Sequence, residues 1–215
     1  MSPSGLALFT PRTSSCSNRT RESRLLGSNR SSSHPSGFLV AALLVASGLL
    51  WAVLFFGTLA HLSELANGIS PFDIRPGGYS YEDAVNFLSS IGEQGRRYYA
   101  FPQLTVDMVY PPLYVVSRGL ALWWLTMPGQ VHAAPLPLHW RYGLIAVPAI
   151  VASLDIIENS CIAVMLWSWP DLSRSLVDIS SWATRLKIVF GATTELVMAV
   201  LFVFWVRRKF RTVRS

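Results

Sequence analysis

The sequence predicts an all-α membrane domain. Four helices cross a bilayer, both termini lie on the cytoplasmic face, a short amphipathic helix sits in the first outer segment, and a disordered tail precedes them. Three observations carry this reading. Hydrophobic residues make up 51% of the 215 residues and charged residues only 14%, against about 25% charged in an ordinary soluble domain. Four stretches reach the roughly 20 residues that a bilayer-crossing helix needs. Basic residues gather at the two ends of the chain: Arg12, Arg19, Arg21, Arg24 and Arg30 near one, Arg207, Arg208, Lys209, Arg211 and Arg214 at the other.

Residues 1–37 hold eleven serines, those five arginines and a single acid, Glu22. No apolar periodicity appears, so the stretch reads as a disordered tail. Its composition also fits an organelle transit peptide. Asn18 and Asn29 match the glycosylation acceptor pattern, on the wrong side of the membrane for that modification.

The membrane domain covers residues 38–206, with spans at about 38–60, 98–127, 142–169 and 186–206. The first span has 23 residues and no charge, which weighs against a soluble helical bundle. The other three carry charges, each costing about 2.5–3.5 kcal/mol at a helix centre, which the remaining apolar residues can offset. An even number of spans puts both termini on one side, and the positive-inside rule makes that side cytoplasmic. Residues 207–215 form a basic cytoplasmic end. Trp51, Trp123, Trp124, Trp167, Trp169, Trp182 and Trp205 read mostly as interfacial residues at span ends.

Between spans one and two, PFDIRPGGYS is rich in turn formers. Ser80 and Asp83 then form a capping box. Ala84, Phe87, Leu88 and Ile91 follow at helical spacing, and Gly92 stands where a helix ends. A short amphipathic helix over residues 81–91 follows, lying on the membrane surface or capping the bundle.

Polar residues inside the spans carry the functional information. Gln103, Asp107, Tyr110, Tyr114 and Arg118 recur at spacings of three and four, one helix face, and Pro111-Pro112 bends that helix beside Asp107. Asp155, Glu158 and Asn159 share a face of span three. Lys187, Gly191, Thr194, Glu195 and Met198 share a face of span four, where Gly191 admits a neighbouring backbone or a ligand. Gly48, beside Ala46 and Ser47, offers a packing notch in span one. Charges are costly in lipid, so these faces turn towards one another. Four acids beside Lys187 cannot all stay ionised in a dry interior, so a proton, a cation or a cationic ligand shares the site.

The candidate binding cluster is therefore Asp107, Tyr110, Tyr114, Asp155, Glu158, Asn159, Lys187 and Glu195. No catalytic residue is assigned. Cys16 and Cys161 are the only cysteines, which excludes a disulfide scaffold and a thiolate zinc site. His61, His132 and His139 fall in different places along the topology, so no haem is expected between the helices. No metal, cofactor or nucleic acid is expected.

PFDIRPGGYSYEDAVNFLSSIGEQGRRYY, DMVYPPLY and SLDIIENS together resemble a group of small four-span integral membrane proteins of no established activity. The resemblance covers roughly residues 71–160. It implies the fold and a membrane location, and marks Asp107, Tyr110, Pro111, Asp155, Glu158 and Asn159 as motif positions. It implies no reaction.

Three functions fit these residues. The first is a buried acidic site that binds or relays protons, cations or a small ligand. The second is a membrane-embedded enzyme acting on a lipid or isoprenoid-like substrate through carboxylate acid–base chemistry. The third is a non-catalytic assembly factor. The lipid bilayer is the expected partner in each, and transport through so thin a bundle calls for a homo-oligomer.

Overall fold

The computed structural model describes residues 35–128 and 132–213. The expectations of a disordered tail, a transit peptide and glycosylation acceptors lie outside the described residues, apart from the last residues of the tail. Every regular element among the described residues is helical. Helix α1 spans Gly37–Leu65, α2 Tyr81–Ser90, α3 Gly92–Tyr98, α4 Tyr110–Thr126, α5 Leu138–Trp167 and α6 Arg174–Val213.

Three of these, α1, α5 and α6, are long and apolar enough to cross a membrane. Helix α5 is the central one, half buried within the protein, whereas α1 and α6 turn most of their apolar surface outward. That arrangement suits helices whose solvent is lipid.

Two boundaries differ from expectation. The last helix begins at Arg174, not near residue 186, and its 40 residues reach about 60 Å, twice the hydrocarbon thickness. Its first turns stand beyond the apolar stretch and pack on the connecting segment. The second expected span is not one helix. After α3 comes a π turn at Tyr99–Gln103, then a single helical turn at Leu104–Asp107, then a break at Met108–Val109 before α4. Both irregularities have local causes. Pro102 sits inside the π turn and has no N–H to give to a regular ladder. Pro111 and Pro112 occupy the first turn of α4, where a missing N–H costs nothing. The double proline therefore starts a helix instead of bending one. Met127 is extended, the conformation that a following proline favours, and ends α4 at Pro128.

Helix α1 has its own π turn at Leu54–Leu59. The two π turns touch: the Thr58 hydroxyl, in contact with Gln103 Oε1 and 3.1 Å from the Leu54 carbonyl, shares its one proton between them.

The main hydrophobic core lies at one end of the bundle. Phe72 packs its ring against Tyr79, Phe87 and Tyr99, with centroids 4.6, 5.0 and 6.0 Å away. Leu62 from α1, Leu88 from α2, Ile162 and Met165 from α5 and Val177 from α6 complete this core. Helix α2 is thus a cap on the bundle, its apolar face turned inward.

The capping box is present. Asp83 N–H donates to Ser80 Oγ at 3.1 Å, and Ser80 N–H donates to Asp83 Oδ2 at 2.9 Å. Gly92 has φ +62°, the left-handed conformation that ends a helix, and α3 starts from it. Gly78 is required by space: φ is +71°, and a Cβ there would collide with the side chains of Arg185 and Ser181. The neighbouring Tyr79 ties the cap to α6. Its N–H donates to Ser181 Oγ at 2.8 Å and its hydroxyl to Ser180 Oγ at 2.6 Å.

The Ser80 N–H holds the Asp83 carboxyl below its ordinary pKa. That contribution to stability is present above about pH 4, the ordinary aspartate value, and is lost as the pH falls through the lowered value. Ser80→Ala is expected to cost about 1 kcal/mol and to speed amide exchange in α2. The destabilisation caused by Asp83→Ala at neutral pH should vanish in acid, as read by thermal melts across pH.

Candidate functional site

Side chains from α4, α5 and α6 meet in the middle of the bundle as two ionic tiers. In the first tier, Lys187 Nζ lies 2.8 Å from Asp155 Oδ1 and in direct contact with Glu158 Oε2. Thr184 Oγ1 donates to Glu158 Oε1 at 2.6 Å. Asp155 and Glu158 are one turn apart on α5, and Thr184 and Lys187 are one turn apart on α6. The 3.6-residue period brings each pair to a common face. All but Lys187 are fully or almost fully buried, and the lysine side chain is only 15% exposed.

In the second tier, Arg118 Nε donates to Glu195 Oε1 at 2.9 Å. Arg118 Nη1 reaches Ser47 Oγ on α1 and Ser117 Oγ at 3.1 Å. The guanidinium also lies over the Tyr114 ring, 4.8 Å from its centroid. Glu195 is two turns from Lys187 along α6, about 12 Å. Four acids at comparable depth were expected to share one site. They divide instead, with Glu195 in the second tier.

A cavity of about 530 Å³ connects the tiers. Asp107, Tyr110 and Tyr114 line it, together with Asp155, Lys187 and Glu195. The Tyr110 and Tyr114 rings are 5.7 Å apart. The cavity also takes Trp51, Leu54 and Phe55 from α1, and Asp73 and Ile74 from the connecting segment. Asp73 arrives from the capped end, and its Oδ2 is hydrogen-bonded to the Tyr99 hydroxyl.

Of the eight predicted site residues, six therefore line one cavity. Glu158 lies behind the wall, paired to Lys187. Asn159 does not reach the cavity, and neither its Oδ1 nor its Nδ2 has a partner. Gly191 lines the cavity, but no neighbouring atom would approach a Cβ there within 4 Å, so it borders open space and not another backbone. Gly48 is likewise free of neighbours, and the packing notch expected there is absent. Its neighbour Ser47 is the buried contact. Trp51 serves as cavity wall instead of an interfacial residue.

Sequence reasoning missed Asp73, Ser47 and Thr184. Thr184 had a signal: Val177, Ser180, Ser181, Thr184, Lys187 and Gly191 continue one helical stripe towards the start of α6. Asp73 had none, because nothing local shows that a turn-rich connection dips into the bundle.

Satisfaction of the polar atoms is uneven. Asp107 is 7% exposed, yet no hydrogen bond or ion pair to it is found among the described residues. Asp73 Oδ1 is buried without a partner. Such orphans are uncommon in native proteins. Among the described residues no three His, Cys, Asp or Glu side chains converge as metal ligands. No family model, curated protein or solved structure matches the chain.

Removing one partner of a buried ion pair strands the other, at a cost of about 3–5 kcal/mol. Lys187→Met strands two carboxylates and is expected to lose at least that much, read as a lower melting temperature in mild detergent. Adding Glu158→Gln to Lys187→Met should recover a measurable part of the loss. A double variant no more stable than the single one would show that Lys187 does not hold the α5–α6 register.

Proposed function

We propose that this is a four-span integral membrane protein whose inter-helix acidic site binds or relays a proton, a cation or a small cationic ligand. The broken run over residues 92–126 supplies the fourth crossing beside α1, α5 and α6. Both termini lie on the cytoplasmic side, and the capped end faces outward.

One observation carries the site. Five carboxylates, Asp73, Asp107, Asp155, Glu158 and Glu195, line the cavity or stand directly behind its wall, against two cations, Lys187 and Arg118. Both cations are already engaged. Three negative charges remain without a counter-charge in a region that water reaches poorly, and buried charge without a partner is expensive. Bound protons or a bound cation relieve it. Asp107 is the group with least protein support and the one that most needs this relief. A purely structural, assembly-type role would call for a filled and paired interior, whereas this one has a cavity and orphaned acceptors.

Asp107→Asn keeps the shape and removes the charge. Protein reconstituted in nanodiscs should exchange about one proton fewer per chain in the variant than in the wild type over a full acid–base titration, as read by a pH-sensitive dye. If a monovalent cation fills the site instead, potassium or sodium chloride should raise the wild-type melting temperature by about 2–4 °C per kcal/mol of binding, and the variant should lose this response. Identical proton exchange and identical salt response in both proteins would remove Asp107 from the site.

A further inference from the structure

The geometry points to a hydrophobic primary amine as the ligand of this site, admitted from the lipid phase between α1 and α6. The inference rests on the acidic-site reading above and names the ligand class. Three observations lead to it.

The first is the cavity's open side. Helix α1 packs along α4, and α6 packs along α5 and α4, but no extended contact joins α1 to α6 among the described residues. Trp51 on α1 and the Glu195 side chain on α6 both line the cavity, and both are 46% exposed although they lie well inside their helices. With the bundle in the membrane as proposed above, a half-exposed carboxylate at that level opens onto acyl chains.

The second is the division of the wall. Helix α1 gives only apolar surface, with Trp51 and Phe55 stacked at 5.0 Å and Leu54 beside them. The facing helices and the connecting segment give all the carboxylates and tyrosines, beside Lys187, Arg118 and the apolar Ile74, Val151 and Ile188. An occupant with an apolar body and a cationic head matches both sides. The volume lies within the about 300–1,000 Å³ of pockets that hold small organic ligands.

The third is the pattern of unmet hydrogen bonds. Asp107 lines the cavity and is more than nine-tenths buried, yet its carboxylate accepts no hydrogen bond among the described residues. Asp107 has no ion pair. Orphaned acceptors call for N–H donors, and a primary ammonium carries three. A quaternary ammonium carries none, so the cavity favours the primary amine over it. An anion is disfavoured, since Lys187 and Arg118 are held by carboxylates already.

The test uses the full chain in nanodiscs of zwitterionic lipid, with empty nanodiscs as the control for partitioning. The probes are dodecylamine, dodecyltrimethylammonium, dodecanol, methylammonium chloride and potassium chloride. Dodecylamine should raise the melting temperature saturably, at concentrations at least tenfold below those at which any other probe acts. Asp107→Asn should weaken the dodecylamine response at least tenfold. Gly191→Leu starts its side chain in open cavity space, with no atom within 4 Å of the Cβ, so it should weaken the amine response. Equal protection by potassium or methylammonium overturns the amine and leaves the acidic-site reading standing. Equal protection by dodecanol or by the quaternary amine overturns it too. No response to any probe with proton exchange retained overturns the amine alone, and loss of both overturns both readings.

Discussion

One ammonium group has to serve two carboxylates. The chain has two lysines, Lys187 and Lys209, and Lys187 stands in the bundle between Asp155 and Glu158. A buried carboxylate without a counter-charge is too costly to keep. The faces of α5 and α6 must therefore meet with Lys187 level with the gap between Asp155 and Glu158. Thr184, one turn away, then falls opposite Glu158. The register of the two helices follows from this contact, because lipid tails offer no hydrophobic drive to fix it.

A bundle held by charge at its centre needs its apolar packing elsewhere. Here the packing sits at the capped end, where Phe72, Tyr79, Phe87 and Tyr99 gather the connecting segment, α2 and the π turn into one cluster. Tyr79 pins that cluster to Ser180 and Ser181 on α6, and Asp73 reaches from it down to the cavity. The cap fixes one end of the helices, the ionic tiers fix the middle, and the cavity lies between them.

Much of this was legible in the sequence, for a physical reason in each case. The stripes at Asp107–Arg118 and Asp155–Asn159 showed because a helix repeats every 3.6 residues, and charges within an apolar run are too costly to face lipid. The capping box at Ser80 and Asp83 showed because it is local. The start of α6 did not show. Its first turns, RSLVDISSW, are polar enough to end an apolar span, and a hydropathy reading marks the membrane edge, not the helix end. The π turns at Leu54–Leu59 and Tyr99–Gln103 left no periodic trace, since each shifts the phase by one residue in an otherwise helical run. Asp73 was invisible because its placement depends on a contact with Tyr99, 26 residues away.

Arg118 explains how α1 stays in place without packing on α6. Its guanidinium is a planar fork with several donors, and here the donors point to different helices: Nε to Glu195 on α6 and Nη1 to Ser47 on α1. Ser47 is fully buried in a helix that turns most of its apolar side chains outward, so this hydroxyl has one polar partner to find. A single residue on α4 thus links the two helices that border the opening. A lysine could not take this place, because one ammonium on a flexible stem cannot hold both partners in fixed directions. The gap between α1 and α6 is therefore a spacing set from the inside by one guanidinium. The cavity opens between the helices beyond that point, and they are bridged at the point itself.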